Sequence, residues 1–292
     1  MPVIDLSSRR RIESRRRPES ETLGRLRDTA VRAARVAGEL QMHHFRNPAL
    51  SCRRLLHDVK IETDLRCERA IVTAIRQTFP DHPVWSEESG RLPGTGPYTW
   101  IVDPLDGTVN FWHGLPIFCV SIGCYRNDRS AVVPGLPGAP AVGVVYLPAG
   151  REMFVGVQGR GATLNSRRLC VTAAETLSDV VVTVNFGKTP ERMRRATARL
   201  AGLLPKVRKA RCLGAAAAEM AYVAAGYLGG MLYDGLKPWD FAAGKILIEE
   251  AGGFVNAAET EPGLWRVAAG PAALARELAS VWPDELIRRA PS

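Results

Sequence analysis

Three stretches, far apart in the chain, carry residue types that could do chemistry together: Trp85-Ser86-Glu87-Glu88-Ser89-Gly90, Asp103-Pro104-Leu105-Asp106-Gly107-Thr108-Val109-Asn110-Phe111, and Trp239-Asp240-Phe241-Ala242-Ala243-Gly244 with Glu250-Ala251-Gly252-Gly253 behind it. In the second, an apolar strand at Thr99–Val102 delivers Asp103 to its C-terminal end, where ligands sit in α/β sheets. Pro104 holds Asp103 extended and cannot continue a central strand, so the chain is expected to turn. That turn frees the Leu105 carbonyl and swings Asp106 back toward Asp103. Two carboxylates and a carbonyl make a hard-cation site that selects Mg²⁺ or Mn²⁺ over zinc. Gly107 lets a ligand approach the backbone, and Thr108 offers an amide and a hydroxyl, which suits a phosphate oxygen. Asp240 is expected to open a helix, where a carboxylate is favoured in its ionised form. Each feature alone has a commonplace explanation: a helix cap for Asp240, a turn for Asp106-Gly107, a solvated pair for Glu87-Glu88.

The elements that must position these residues alternate in period. Leu26, Ala30, Ala33, Ala37 and Leu40 form an apolar helical stripe from Glu21 onward. A second helix is expected over about 65–79, with Glu68, Val72, Ile75 and Phe79 on one side and Pro80 ending it. Strands follow at 99–102, 117–125, 141–147 and 152–157, with a Pro- and Gly-rich loop from Asn127 to Pro140. Beyond 180, strands near 180–184, 207–213, 231–233 and 253–256 alternate with helices after Pro190, over 215–225 and over 240–251, a layered α/β pattern. The expected organisation is an arginine-rich, disordered tail over 1–20, an α+β half over 21–178 that carries the metal site, and an α/β half over 179–292 that completes it.

Composition excludes several classes. The 292 residues are 46% hydrophobic and 24% charged, enough for a large core, and no apolar run reaches membrane-span length. The N-terminus is rich in arginine rather than carrying an apolar leader, so a cytoplasmic protein is expected. Six scattered cysteines without a CxxC pair fit free thiols better than disulfides or zinc. The net charge of +9 suits anionic ligands, phosphate esters included. No aromatic side chains interleave the arginine run, which weakens a nucleic-acid partner.

The acidic stretches, in this order, resemble the two signatures of the inositol monophosphatase family: Asp-Pro-Leu-Asp-Gly-Thr-Val-Asn-Phe is similar to the first, and Trp-Asp-Phe-Ala-Ala-Gly with its downstream Glu-Ala-Gly-Gly to the second. The similarity extends from about residue 22 to residue 256. The resemblance implies an α/β fold, the αβαβα five-layer sandwich shared with fructose-1,6-bisphosphatase, in a homodimer. It implies a Mg²⁺-dependent phosphoric monoester hydrolase with two or three ions, Mn²⁺ being a possible substitute. Glu87, Asp103 and the Leu105 carbonyl would hold one ion, and Asp103, Asp106 and Asp240 the other. Asp64, in Lys60-Ile61-Glu62-Thr63-Asp64, would pair with Thr108 to orient the attacking water, with Glu87 assisting. Gly107, Thr108, Gly214, Ala216, Tyr233, Asp234 and Asp240 would contact the substrate. Inositol monophosphate is the expected substrate; the alternatives are fructose 1,6-bisphosphate, histidinol phosphate or a 3′-phosphoadenylate, and, from another class, a non-catalytic RNA-binding scaffold. The chain departs from the family pattern at Tyr233, where a glutamate that binds ring hydroxyls is usual, and at Ala215, where a hydroxyl residue is usual. Asp234 is the expected substitute for the missing glutamate.

Overall fold

The computed structural model describes the backbone of residues 6–47, 52–55, 58–128 and 135–281, and their side chains from residue 21 on, outside 52–55 and 58–60. Helix α1 (Leu6–His44) buries Leu26, Ala30, Ala33 and Ala37, the stripe read from the sequence. It begins at Leu6, so the segment expected to be a disordered tail is helical along most of its backbone, in keeping with the helix propensity of arginine and glutamate. Residues 1–5 and the arginine side chains of that segment lie outside the described residues.

The hairpin β1 (Cys52–Leu55) and β2 (Asp58–Ile61) leads into α2 (Glu62–Thr78). That helix starts three residues earlier than expected and buries Thr63, Asp64, Cys67, Glu68, Ile71 and Ile75. The earlier start puts Asp64 in its first turn, where the carboxylate accepts the Ile61 amide at 2.9 Å.

The first sheet has eight strands. They are β3 (Val84–Ser86), β4 (Gly90–Leu92), β5 (Tyr98–Asp106), then, after the short helix α3 (Thr108–Trp112), β6 (Cys119–Arg126), β7 (Ala139–Leu147), β8 (Glu152–Val157), β9 (Gly161–Leu164) and β10 (Arg167–Arg168). Their order is β10-β9-β8-β7-β6-β5-β3-β4, antiparallel except where β3 runs parallel to β5. Residues 129–134 of the expected long loop lie outside the described residues.

The second sheet is built from β11 (Val181–Val184), α4 (Pro190–Leu203), β12 (Lys209–Arg211), α5 (Ala216–Ala224), β13 (Gly230–Leu236), α6 (Pro238–Glu250), β14 (Phe254–Glu261), β15 (Leu264–Gly270) and α7 (Ala272–Ser280). Its order is β12-β11-β13-β15-β14. Strand β15 and helix α7 are absent from the sequence reading.

Five layers result. Helices α1 and α2 cover the outer face of the first sheet through Leu26, Ala30, Ile71 and Ile75 against Trp100, Ile122 and Val144. Helices α5 and α6 lie between the sheets, in a cluster that joins Ile101, Tyr125 and Phe154 of the first sheet to Met231, Tyr233 and Val267 of the second. Helices α4 and α7 close the far side with Leu203, Leu274 and Leu278 over Val182 and Leu232. The architecture is the expected αβαβα sandwich. Helix α6 sits close to β6 and β7 because Ala242 and Ala243 face Gly123 and Gly143, which explains the small residues of the third acidic stretch. Burial all round explains why α6 shows almost no amphipathic pattern. A division between 178 and 179 falls just before β11; we propose it as a boundary between halves that share one central core.

Candidate metal centre and active site

Strand β5 carries the first pair of acids. It runs on through Asp106 instead of ending at Asp103-Pro104, and its ladder to β6 slips between Asp103, opposite Ser121, and Asp106, opposite Cys119. Pro104 has no N–H for the ladder, so a bulge replaces the expected chain reversal. Gln41 of α1 restores polar contacts by donating to the Pro104 carbonyl at 2.8 Å and the Cys119 carbonyl at 3.4 Å. Parallel pairing of Ser86 with Val102 brings Glu87 out beside Asp103, and the Glu87 amide donates to the Val102 carbonyl at 3.2 Å.

The Leu105 carbonyl is not left free as expected: the Thr108 hydroxyl donates to it at 2.9 Å, occupying one of its two lone-pair directions. Leu105 itself is anchored among Ile61, Phe111 and Phe118. Gly107 follows at φ 86°, and an added Cβ would lie 2.8 Å from the Ile117 carbonyl, so no other residue fits this turn without strain.

Asp106 reaches across the chain to α5. Its carboxylate accepts the amides of Ala216 at 3.2 Å, Ala217 at 2.8 Å and Ala218 at 3.4 Å, satisfying N–H groups that a helix start leaves open. Asp240 is the third residue of α6, not its cap: Lys237 holds the cap position, and its amide donates to Asp240 at 2.7 Å. Asp64 and Asp240 thus serve their helices in the same way.

Crowding sets the electrostatics. Burial pushes the Asp103 carboxyl well above the usual range, and Glu87, Asp106 and Asp240 push it further, which places all four acids within interaction range. Asp106 is pushed up to about 6 by burial, against the amides of α5. Asp240 is pushed up to about 7 by burial, with the Lys237 amide opposing and Asp106 reinforcing.

Glu87, Asp103, Leu105, Asp106, Gly107, Thr108, Gly214, Ala216, Tyr233, Asp234 and Asp240 all line one cleft of about 470 Å³ between the sheets. Asp64 is not among its lining residues; it is buried in the first turn of α2. Tyr233 donates its hydroxyl to Glu219. The Asp234 carboxylate, 4% exposed, is already held by Arg199 at 3.1 Å and Arg192 at 3.6 Å, so it does not replace the glutamate missing at 233.

Two residues that shape the site have no role assigned from the sequence, Glu219 outside the motifs and Asn110 within the second stretch. Glu219, fully buried, accepts the Leu213 and Gly214 amides at 2.8 Å each and the hydroxyls of Thr183 and Tyr233, fixing the loop that enters α5. Burial raises its carboxyl while these four donors oppose the rise. An acid following four alanines on an apolar helix was the available clue. Asn110 ties the halves together by donating to the carbonyls of Ile117 at 2.8 Å and Leu213 at 2.7 Å.

The donor set fits a hard divalent cation: four carboxylates and a carbonyl, all oxygen, with burial raising the carboxyls of Asp103, Asp106 and Asp240. Among the described residues, no three His, Cys, Asp or Glu side chains close around one point as a ready-made cage. Asp103, Asp106 and Asp240 each give an oxygen to backbone amides, the outer hydrogen bonds that orient a ligating carboxylate.

The model of the inositol monophosphatase family matches residues 23–285. The Nus factor SuhB of Escherichia coli (strain K12) is 37% identical over 231 residues, which cover 78% of this chain and 83% of that protein. Inositol monophosphatase 3 of Solanum lycopersicum is 38% identical over 237 residues, 78% of this chain and 84% of that one. The crystal structure of the extragenic suppressor protein suhB from Bartonella henselae superposes with a TM-score of 0.79 at 30% identity, covering 90% of this chain and 98% of that chain.

Proposed function

The chain belongs to the inositol monophosphatase family and is, at that level, a phosphate-monoester hydrolase; from that premise we propose a magnesium-dependent reaction on a small phosphorylated polyol or sugar, with inositol monophosphate the first candidate. The observation that carries this reading is the convergence of Glu87, Asp103, Asp106 and Asp240, from three distant segments, with the Leu105 carbonyl in a single cleft.

In this assignment Glu87, Asp103 and Leu105 would hold one Mg²⁺, and Asp103, Asp106 and Asp240 a second. A third ion, or Mn²⁺ in place of Mg²⁺, fits the same all-oxygen set. Bound Mg²⁺ supplies positive charge to the phosphate and leaving oxygens and lowers the pKa of a coordinated water. The chain does the rest. Gly107, Thr108, Gly214 and Ala216 border the phosphate on the side of the α5 N-terminus, whose dipole favours negative charge. Thr108 gives its hydroxyl proton to Leu105 and keeps its oxygen lone pairs for a proton of the attacking water. Asp64 is assigned to pair with Thr108 in orienting that water, with Glu87 assisting. The water oxygen bonds to phosphorus and releases a proton to solvent, the P–O bond to the alcohol breaks, and solvent protonates the departing alkoxide. No covalent phosphoenzyme is required.

Among the described residues no helix is long and apolar enough to cross a membrane. A cytoplasmic homodimer is the proposed setting. A non-catalytic RNA-binding scaffold would have no use for five converging oxygen donors.

The test is phosphate release from inositol monophosphate by the full chain with Mg²⁺. Turnover that a chelator stops and added Mg²⁺ restores is expected; turnover indifferent to chelation would overturn the metal assignment.

A further inference from the structure

Glu68 is a buried acid that does not line the cleft. It lies on the inner face of α2, one turn before Ile71 and two before Ile75, and is 3% exposed. Its neighbours on that face are apolar and cluster with Trp100 and Val102 of the first sheet. A carboxylate among them is costly to bury unless donors meet it. Four do, and all come from one short segment. Oε2 accepts the amides of Glu88 and Ser89 at 3.1 Å each and the hydroxyl of Ser86, and Oε1 accepts the hydroxyl of Ser89.

That segment is the turn of the β3–β4 hairpin. Ser86 pairs with Gly90 across the hairpin, so Glu87, Glu88 and Ser89 make the reversal, and Gly90 closes it at φ 69°. The donors to Glu68 stand on both sides of Glu87 in the chain, and the Glu87 amide is fixed separately on the Val102 carbonyl at 3.2 Å. Glu87 is thereby held beside Asp103, at the edge of the cleft. The same hairpin meets the third acidic stretch, since Trp85 lies edge-on to Trp239 at 6.0 Å, next to Asp240. Hairpin turns commonly close through their own backbone and need no carboxylate from a helix. This turn receives one from a residue 18 positions upstream of Ser86.

Resting on the metal assignment above, we propose that Glu68 is a positioning residue, holding the 86–89 turn so that Glu87 is already in place for the first Mg²⁺. It acts through Glu87 and not on the ion. A turn without this anchor would have to be ordered each time the ion binds, at a cost in conformational entropy.

The experiment titrates Mg²⁺ into the full chain by calorimetry and also reads the Mg²⁺ concentration that half-activates phosphate release. Glu68→Met fills similar space without an oxygen acceptor. Glu68→Gln keeps one acceptor oxygen, and its amide can donate to a Ser89 hydroxyl that turns round. Glu68→Met is expected to weaken Mg²⁺ binding, and to raise the activating concentration, by about tenfold or more, with excess Mg²⁺ restoring part of kcat. Glu68→Gln is expected to stay within about twofold of the parent. Should Glu68→Met fail to fold, the double substitution Ser86→Ala with Ser89→Ala carries the test, removing both hydroxyl donors at an expected loss of about fivefold in Mg²⁺ affinity. A lower melting midpoint with parental Mg²⁺ binding, in either protein, would make Glu68 a brace of the fold alone and overturn the proposal. So would an equal loss in Glu68→Gln and Glu68→Met, since charge and not position would then be at work. A parent chain that binds no Mg²⁺ is a separate result and defeats the metal assignment itself.

Discussion

The two walls of the cleft are made in different ways. The carboxylate wall hangs on strand ends: Glu87 follows β3 with its amide on the Val102 carbonyl, and Asp103 and Asp106 ride a bulge in β5, where Asp103 accepts the Leu105 amide and Asp106 an amide of α5, all at about 3 Å. The opposite wall is a loop and a helix start, with Lys188 exposed on the loop and Arg192 buried beneath it. One wall concentrates like charge where burial opposes it, a costly arrangement whose use is chemistry. The other holds a buried acid, Asp234, between Arg192 and Arg199. A wall that does the chemistry tolerates little variation in donor position. A wall that selects the alcohol can change residue by residue.

The sharpest way to break this contrast is to neutralise one acid. Asp103→Asn keeps an acceptor for the Leu105 amide but removes the charge shared by both proposed ion sites. Phosphate release should fall about a thousandfold or more, while the thermal midpoint without Mg²⁺ stays level or rises, because like-charge repulsion is relieved. Full activity in this variant would show that the carboxylate wall is structural and that the two walls do not differ in kind.

Asp234→Ala should do the reverse. It strands Arg192 and Arg199 without their shared partner, a loss on the order of 3 kcal/mol in stability. Denaturant unfolding reads this directly, and a variant as stable as the parent would show the arginines to be solvated and the network idle.

How much of this contrast was legible in the sequence follows the same line. The carboxylate wall could be read because its chemistry demands particular residue types beside turns: Asp before Pro, Asp before Gly, and Asp in the first turn of a helix. The stripe of α1 and the burial of Ile75 were visible because a helix with one wet face leaves a period. Helix α6 leaves none, being buried all round, and only its motif marked it. The other wall was opaque. Arg192, Asp234 and Arg266 meet through the pairing of β13 with β15, and β15 has no period distinctive enough to be read as a strand. The bulge at Pro104 was mistaken for a reversal because a proline in a strand has two remedies, and only the neighbouring Gln41 side chain shows which one operates.

Proton and metal should compete on the carboxylate wall alone. With Asp106 raised to about 6 and Asp240 to about 7, from an ordinary value near 4, the folded state binds protons that the unfolded chain has released over that window. Stability without Mg²⁺ therefore falls as pH rises from about 4 to about 7. Mg²⁺ needs the deprotonated acids, so the midpoint rise it produces should grow over the same interval, to several degrees near pH 8 and little near pH 5. Thermal melts across pH with and without Mg²⁺ check both signs. An Mg²⁺ effect that is the same at every pH would mean the acids titrate independently of the ion.

The smallest effect tests where the walls meet. Tyr233 lies 3% exposed on β13, and its hydroxyl serves Glu219, which in turn holds the Leu213 and Gly214 amides at the entrance to α5. Tyr233→Phe removes one of four donors to a buried carboxylate while leaving the ring in place. The expected cost is about 1 kcal/mol of stability, with KM for inositol 1-phosphate moving by less than about threefold, since the lost hydrogen bond faces the protein. The opposite result, an unchanged melting midpoint with KM raised tenfold or more, would mean that the hydroxyl turns to the alcohol when substrate binds. Tyr233 would then do the work of the absent glutamate.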